Sequence, residues 1–198
     1  MSVTGQPDSE PTRVGTSIGD ITAGLFTAIA INAALYDRQK TGKGMYIDVA
    51  MLDCQIAILE NAVARYLTKG EIPKPMGSRH PSIAPFEAFS TKDSYIVIAA
   101  GNDKLFEGMC KVLNINLHNN DKFKTNANRN KNIDELKIIL EDELKKKTTT
   151  EWCKIFEENK IPCGPINNIK EVVESPQTKA RNMIVSAIHN KIGEFKMP

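Results

Sequence analysis

A long stretch of helical periodicity begins at Gly19-Asp20 and ends before Gly42. Apolar side chains recur within it every three or four positions, and alanine and glycine between them permit close helix packing. We therefore predict a helix over about 18–40, with Asp20 in its first turn. The segment Ser17-Ile18-Gly19-Asp20 also fits a capping box, in which a hydroxyl and a carboxylate accept hydrogen bonds from free backbone amides. From this pattern alone, Asp20 is either a helix cap or a carboxylate available for chemistry.

The next segment alternates between strand and helix. Residues 45–50 include Tyr46, Ile47 and Val49 directly after a glycine turn, which predicts a short strand. Residues 51–67 return to helical spacing and predict a second helix. Helix, strand and helix in this order indicate an α/β layer, although one strand is a poor sheet and needs partners from elsewhere. We assign residues 1–70 to this layer.

A proline- and glycine-rich passage over 71–85 separates the two halves of the chain and is typical of a linker or an active-site loop. Beyond it we expect a small α+β domain over 86–165. The alternating pattern and turn chemistry of its first residues predict a hairpin, and Thr148 to Glu151 form a helix start signal. The predicted elements are strands at 86–89 and 95–99, helices at 104–113, 133–146, 150–159 and 169–174, a break at 162–165, and a strand at 183–188.

Charge and cysteine content exclude several classes of function. The net charge is only +2, with acids and bases interspersed, so we expect no nucleic-acid surface. The four cysteines form no C-x-x-C pair and the three histidines lie far from them, so we expect no metal site. We found no signal segment and no apolar run approaching the roughly 20 residues that cross a bilayer. A cytoplasmic protein without membrane contacts is the resulting expectation.

Several short motifs occur in one order along the chain. They are Gly19-Asp20 with Ala23-Gly24, Ala34 to Arg38 leading to Thr41-Gly42-Lys43-Gly44, Ile47 to Met51, Gly77 to Phe86, Ala100 to Asp103, and Ile161 to Ile166. In this order, over about residues 1–183, they resemble the family III CoA-transferases, which include formyl-CoA:oxalate transferases and, more distantly, α-methylacyl-CoA racemases. The resemblance implies an α/β fold, with a partial Rossmann-like layer followed by a smaller α+β domain.

The resemblance implies that Asp20 is the nucleophile. A carboxylate that attacks a thioester forms a mixed anhydride and then an aspartyl-CoA thioester, which divides one difficult exchange into easier steps. The start of a helix suits this role, because its free amides and partial positive charge attract an anion. With the resemblance included, we favour catalysis over capping for Asp20.

The resemblance also implies substrate or CoA contacts from Gly77, Ser78, Arg79 and His80, which match a glycine-rich loop that shields the intermediate from water. Arg79 and His80 replace glycines of that loop, which suggests a dicarboxylate acyl group bound by Arg79. The alternative is that Arg79 is a surface residue and that His80 caps nearby backbone.

The turn at Gly101 and Asn102 is a second implied contact with CoA. A turn from strand to helix with an N-terminal cap requires the same residue types. We prefer the capping role for Asn102 and Asp103.

The implied substrates are an acyl-CoA and a carboxylic acid, with CoA as substrate and no permanently bound cofactor. In the family, most contacts to CoA come from the half that precedes the Gly-Asp segment. We therefore expect an interlocked homodimer or a complementing N-terminal polypeptide, and residues 166–198 to return toward the large domain. Two other functions stay open: an acyl-CoA racemase of the same superfamily, and a non-catalytic remnant or assembly module.

Overall fold

The computed structural model describes residues 1–198 and divides into two compact units, unit 1 at Met1–Ser78 and unit 2 at Arg79–Pro198. The boundary falls inside the predicted 71–85 passage, which holds neither helix nor strand. The mixed α/β class is confirmed. The elements in chain order are α1 (Ile18–Thr41), α2 (Met51–Ile58), α3 (Glu60–Lys69), β1 (Phe86–Ser90), β2 (Tyr95–Ala99), α4 (Asp103–Val112), α5 (Asn126–Lys131), α6 (Ile133–Leu144), α7 (Thr149–Glu158), β3 (Cys163–Pro165), α8 (Ile169–Glu174), α9 (Pro176–Ala180), β4 (Val185–His189) and β5 (Gly193–Met197).

Helix α1 is the main element of unit 1 and confirms the predicted first helix. It ends at Gly42, whose positive φ of 70° suits glycine and whose N–H donates to the carbonyl of Arg38 at 2.8 Å. Helix α2 packs against the first turns of α1, where the side-chain amide of Gln55 donates to the hydroxyl of Thr22 at 2.9 Å. Unit 1 thereby fixes the start of α1, which carries Asp20.

Two predictions for unit 1 are wrong. Residues 45–50 form no strand, because a strand needs a hydrogen-bonded neighbour and unit 1 contains none. The segment keeps a strand-like alternation, with Ile47 and Val49 half-buried between exposed neighbours. The helix predicted over 51–67 is broken at Leu59, whose N–H bonds to the carbonyl of Ile56 in a tighter turn and separates α2 from α3.

Helix α1 has 24 residues and a mean hydropathy of 1.6 in its most apolar window, so by length and composition alone it could cross a membrane. The expectation that no apolar run approaches the length of a membrane span is therefore wrong. The alanines that we interpreted as packing residues also raise its hydropathy. This is weak support for a membrane span, because core helices of other proteins pass the same test. Only 6% of its most apolar window is buried, and Leu25 and Ile29 are largely exposed. Unit 1 therefore presents an uncovered apolar face along α1.

Unit 2 is built on a three-stranded antiparallel sheet in the order β1-β2-β3. The predicted hairpin is confirmed, with Phe86 opposite Ala99 and Ser90 opposite Tyr95. The predicted break at 162–165 is instead the short edge strand β3, which pairs with β2. Pro162 precedes this strand and Pro165 is its last residue, and neither favours a strand prediction, because proline is tolerated in strands mainly at sheet edges.

The core of unit 2 lies between this sheet and helices α4, α6 and α7, all three of which confirm the predicted helices within one or two residues. Helix α7 begins with the expected capping box between Thr148 and Glu151. Helix α5 escaped prediction because its sequence is polar on every side and has no apolar period. The largest fully buried side chains of the core are those of Arg129, Phe89, Phe106, Phe123 and Phe156.

The C-terminal part of unit 2 forms two short helices and a hairpin. Helix α8 confirms the prediction at 169–174, whereas α9 was missed. The strand predicted at 183–188 is β4, shifted by about two residues, and it pairs with β5 across a turn that ends at Gly193. The return of 166–198 toward a large domain stays a prediction.

Candidate functional site

The carboxylate of Asp20 is exposed in the first turn of α1 and forms no hydrogen bond or ion pair. The predicted capping box is wrong, because Ser17 makes no side-chain cap bond. Its ψ of 65° departs from the extended backbone that normally aims a capping hydroxyl at the helix amides. The carboxylate is therefore neither buried nor occupied by its own backbone.

The backbone amides beside this carboxylate are also unoccupied. The N–H groups of Gly19 and Asp20 lie in the first turn, where no preceding carbonyl reaches them, and they form no hydrogen bond. Gly19 faces α2, and a Cβ there would lie 3.4 Å from the methyl carbon of Met51. Two free donors thus accompany a free carboxylate at the positive end of a helix.

Gly77 and Ser78 belong to unit 1. Gly77 has a φ of +67°, and its N–H donates to the carbonyl of Gly5 at 2.8 Å. A Cβ at this position would lie 2.8 Å from the side-chain oxygen of Gln6. The positive φ favours glycine at this position, whereas the end of the Gln6 side chain could move to make room for a Cβ.

His80 caps the loop that follows it. Its Nδ1 accepts hydrogen bonds from the N–H groups of Ser82 at 3.2 Å and Ile83 at 3.1 Å, and its ring stacks on Phe86 with centroids 5.3 Å apart. This geometry agrees with the capping alternative for His80. A contact between His80 and substrate stays a prediction.

Arg79 is three-quarters buried at its side chain, with 26% exposure, yet it has only one partner. That partner is Asp134, whose carboxylate is 95% exposed and lies 3.5 Å from the guanidinium. The contact is long for a charge-assisted hydrogen bond, which is normally below about 3 Å. Most of the donors of Arg79 are therefore available to a second carboxylate.

Asn102 is the N-terminal cap of α4, as preferred from the sequence, and its side chain accepts from the N–H of Leu105 at 2.8 Å. Asp103 is not a cap, because its carboxylate pairs with Arg129 at 2.8 Å. At Gly101 a Cβ would lie 1.8 Å from a methyl of Ile83, so only glycine fits. Contacts of Gly101 and Asn102 with CoA stay predictions.

An open cavity of about 530 Å³ lies beside this turn. Its volume falls in the range of roughly 300–1,000 Å³ that is usual for small-molecule sites. Its lining includes Ile83 from the loop after His80, Phe86 from the start of β1, Gly101 and Asn102 from the turn before α4, and Asn126 from α5. Unit 2 therefore brings two of the sequence-predicted segments to one cavity.

The cysteines are poor alternatives to Asp20 as nucleophiles. All four are free, and burial raises the pKa of Cys110 and of Cys163 to about 11 and raises the pKa of Cys153 as well. Below its pKa a thiol is protonated, and the thiolate is the reactive form. No group of three His, Cys, Asp or Glu side chains is placed to hold a metal ion.

Arg129 and Asn126, which the sequence did not single out, organise the cavity wall. Arg129 is fully buried and donates to the carbonyls of Ala84, Phe123 and Gly101 at 2.6–3.0 Å. Both residues lie in an asparagine-rich stretch without a recognisable motif. The one sequence signal for a buried role was that Arg129 is an isolated arginine in this stretch.

The sequence matches the family profile described as CoA-transferase family III over residues 1–198. This chain belongs to CoA-transferase family III. Among the relatives it matches is the human succinyl-CoA:glutarate CoA-transferase, with 39% identity over the whole of this chain and 45% of the relative. The acetyl-CoA:oxalate CoA-transferase of Acetobacter aceti is 40% identical over the whole chain and 50% of its own length. The chain thus spans about half the length of the curated relatives it matches.

The fold of this family III chain also matches solved structures. A CAIB/BAIF family protein from Brucella suis superposes with a TM-score of 0.79 and 40% sequence identity, over 93% of this chain and 49% of the other. The protein Rv3272 from M. tuberculosis superposes with a TM-score of 0.84 and 25% identity, over 98% of this chain and 51% of the other. Both matches place the α/β architecture within the family.

Proposed function

We propose that this family III chain carries the nucleophile of a CoA-transferase, and that Asp20 is that nucleophile. The observation that carries the proposal is the free, exposed carboxylate of Asp20 in the first turn of α1, in a chain whose named relatives transfer CoA. A carboxylate that was hydrogen-bonded to the amides of its own helix would be less available to attack a thioester.

The reaction begins when the Asp20 carboxylate attacks the thioester carbonyl of an acyl-CoA. The C–S bond breaks, CoA leaves as thiolate, and a mixed anhydride remains on Asp20. The thiolate then attacks the aspartyl carbonyl, which releases the first acid and forms an aspartyl-CoA thioester. An incoming carboxylate forms a second anhydride in the same way. Return of the thiolate to its acyl carbon yields the new acyl-CoA and regenerates Asp20.

The unoccupied amides of Gly19 and Asp20 support this chemistry. Negative charge develops on a carbonyl oxygen during each attack, and fixed N–H donors stabilise such charge without reorganisation. The partial positive charge of the α1 N-terminus acts in the same direction. A free carboxylate and free donors in one helical turn are the combination that acyl transfer needs.

We infer that the transferred acids are dicarboxylates. Succinate and glutarate appear in the name of the human relative, and oxalate in that of the Acetobacter relative. The Arg79 side chain is only 26% exposed and its guanidinium has donors without a partner, which suits the second carboxylate of such an acid. Its long contact with the exposed Asp134 is weak enough for a substrate to replace.

Substitution of Arg79 by glutamine is expected to raise KM for glutarate or succinate as acceptor by roughly 10- to 100-fold, the usual worth of a charge-assisted hydrogen bond. KM for a monocarboxylate of similar length should stay unchanged, because it has no second carboxylate to lose. Steady-state assays with both acceptors measure the difference. Asp134→Asn is the matched control and should leave KM for the dicarboxylate unchanged or lower it. An equal rise of KM for both acceptors would contradict the assignment.

We also propose that a second polypeptide or a second copy of the chain completes the enzyme in the cytoplasm. The support is the uncovered apolar surface of unit 1 and the span of only half the length of the relatives. The function should therefore be assayed with the chain alone and with the separately produced N-terminal half of a relative.

Trapping of the covalent intermediate tests the function. The protein is incubated with succinyl-CoA and hydroxylamine, and peptides are examined by mass spectrometry for a hydroxamate on Asp20. The adduct supports the transferase. Loss of α-deuterium from a branched acyl-CoA without an adduct would indicate a racemase instead. Absence of both, without CoA binding in either assay format, would indicate a non-catalytic module.

A further inference from the structure

A buried hydroxyl is hydrogen-bonded to the helical turn that carries Asp20. Thr22 is only 7% exposed, and its hydroxyl donates to the carbonyl of Ile18 at 2.7 Å and to that of Gly19 at 3.1 Å. A hydroxyl has one proton, so the two carbonyls share it and the shorter contact is the stronger. The same hydroxyl accepts from the side-chain nitrogen of Gln55, on α2, at 2.9 Å. The start of α1 is therefore joined to α2 by a continuous chain of hydrogen bonds.

This chain of hydrogen bonds has a single direction. A carbonyl can only accept, so the Thr22 proton points at the backbone of α1 and only the lone pairs of its oxygen face Gln55. The nitrogen end of the Gln55 amide must face Thr22, because the amide oxygen would place a second acceptor against an oxygen whose proton is already used. Gln55 thus keeps the Thr22 proton on the carbonyls of α1.

The two carbonyls that Thr22 contacts belong to the peptide units that carry the free amides of the site. The carbonyl of Ile18 and the N–H of Gly19 are opposite ends of one planar peptide unit. The carbonyl of Gly19 and the N–H of Asp20 are opposite ends of the next one. Because each unit is rigid, a bond that holds its carbonyl also fixes the direction of its N–H. Hydrogen bonds in series also polarise one another, which makes these N–H groups stronger donors.

The first turn of α1 lacks the cap that usually holds a helix start. Ser17 makes no side-chain cap bond, and the first amides of a helix have no carbonyl partners within it. Such ends fray unless another contact holds them. The bonds from Gln55 to Thr22 and from Thr22 to the backbone supply that contact.

We propose that Thr22 and Gln55 are positioning residues for CoA transfer. Through the two peptide units they orient the N–H groups of Gly19 and Asp20 toward the carbonyl oxygen on which negative charge develops. The proposal rests on the function proposed above, and all four residues lie in unit 1. Donors of this kind act mainly on the transition state, so their misalignment should slow the attack and leave the binding of acyl-CoA nearly unchanged.

Substitution of Thr22 by valine tests the proposal, because valine keeps the shape of threonine and removes its hydroxyl. The assay uses succinyl-CoA and excess hydroxylamine in the format that shows the Asp20 adduct. Hydroxylamine attacks the aspartyl-CoA thioester, the C–S bond breaks, CoA leaves as thiol with a proton from hydroxylamine, and a hydroxamate remains on Asp20.

The rate constant of hydroxamate formation in Thr22→Val is expected to fall roughly 3- to 10-fold, the worth of one hydrogen bond of ordinary strength. The final yield of hydroxamate per protein and the succinyl-CoA concentration that gives half the maximal rate should stay unchanged. An unfolded fraction would lower the yield and leave the rate constant as it was, so the two measurements separate positioning from stability.

Two other variants test the parts of the chain separately. Thr22→Ser retains the hydroxyl and should restore the rate constant of the wild type. Gln55→Met retains the length of the side chain without its donor, and should lower the rate constant by a smaller factor than Thr22→Val. In the Thr22→Val background Gln55→Met should have no further effect, because Gln55 acts through the Thr22 hydroxyl.

Thr27→Val is the matched control. Thr27 lies on α1 and its hydroxyl also donates to a helix carbonyl, that of Ala23 at 2.7 Å, which belongs to a peptide unit beyond the free amides. The control should keep the rate constant and the yield of the wild type.

Three results would overturn the positioning role: a wild-type rate constant in Thr22→Val, an equal fall in Thr27→Val, or a Thr22→Ser variant as slow as Thr22→Val. Each of them would leave the proposed function standing, because the adduct still forms on Asp20. A wild-type protein without that adduct would overturn the proposed function and this inference with it.

Discussion

Asp20→Asn is expected to lower the rate of CoA transfer by at least about 10³-fold, the scale on which loss of a covalent nucleophile is usually measured. An amide cannot attack a thioester to form an anhydride, so the hydroxylamine adduct should disappear as well. Because the Asp20 side chain is exposed and makes no hydrogen bond, the melting temperature should change little. The kcat of transfer and the mass spectrum of the trapped protein are the two measurements.

Asp53→Asn is a closely matched control for that substitution. Asp53 is also exposed and also lies in the first turn of a helix, α2, without a side-chain cap bond. If helix-end charge or general stability explained the effect at Asp20, the two variants would behave alike. We expect Asp53→Asn to retain transfer and the adduct. Full activity of Asp20→Asn would remove Asp20 from the mechanism.

The sequence predicted those elements of the fold whose cause is local. The period of α1, the glycine that ends it, and the Thr148 capping box of α7 all depend on residues within a few positions of one another. The strand expected at 45–50 failed for the opposite reason, since strand formation depends on a neighbour that unit 1 does not contain. The edge strand β3 was not predicted either, because it pairs with Ile98 of β2, which lies far from it in the sequence.

The same distinction between local and distant causes applies to the residues of the candidate site. The position of Asp20 at a helix start followed from the periodicity around it, and the cap at Asn102 from its place before α4. The roles of Asn126 and Arg129 depend on contacts more than 25 residues away in the chain, with Ala84 and Gly101. No pattern of charge or hydrophobic periodicity within α5 predicts such contacts.

Arg129→Met is expected to destabilise unit 2 by at least about 3 kcal/mol. The guanidinium is fully buried, and its removal leaves the carbonyls of Ala84, Phe123 and Gly101 without donors, each at a cost of about 1–3 kcal/mol. The contact of the guanidinium with the ring of Phe106, 4.5 Å from its centroid, is lost as well. Methionine retains most of the apolar volume, so the effect reports the lost polar contacts of the guanidinium and not a large cavity. Urea unfolding followed by the fluorescence of Trp152 measures the change.

Two further variants separate the hydrogen bonds of Arg129 from its charge. Asp103→Asn removes the ion pair, but the Asp103 side chain is 65% exposed, so the stability of unit 2 should change little. Arg129→Lys keeps the charge but loses the planar fork that reaches three carbonyls at once, so it should remain strongly destabilising. A lysine variant as stable as the wild type would show that charge holds the cavity wall. We expect the free energy of unfolding to be far higher for the wild type than for the lysine and methionine variants. That order would show that the wall depends on the geometry of the guanidinium.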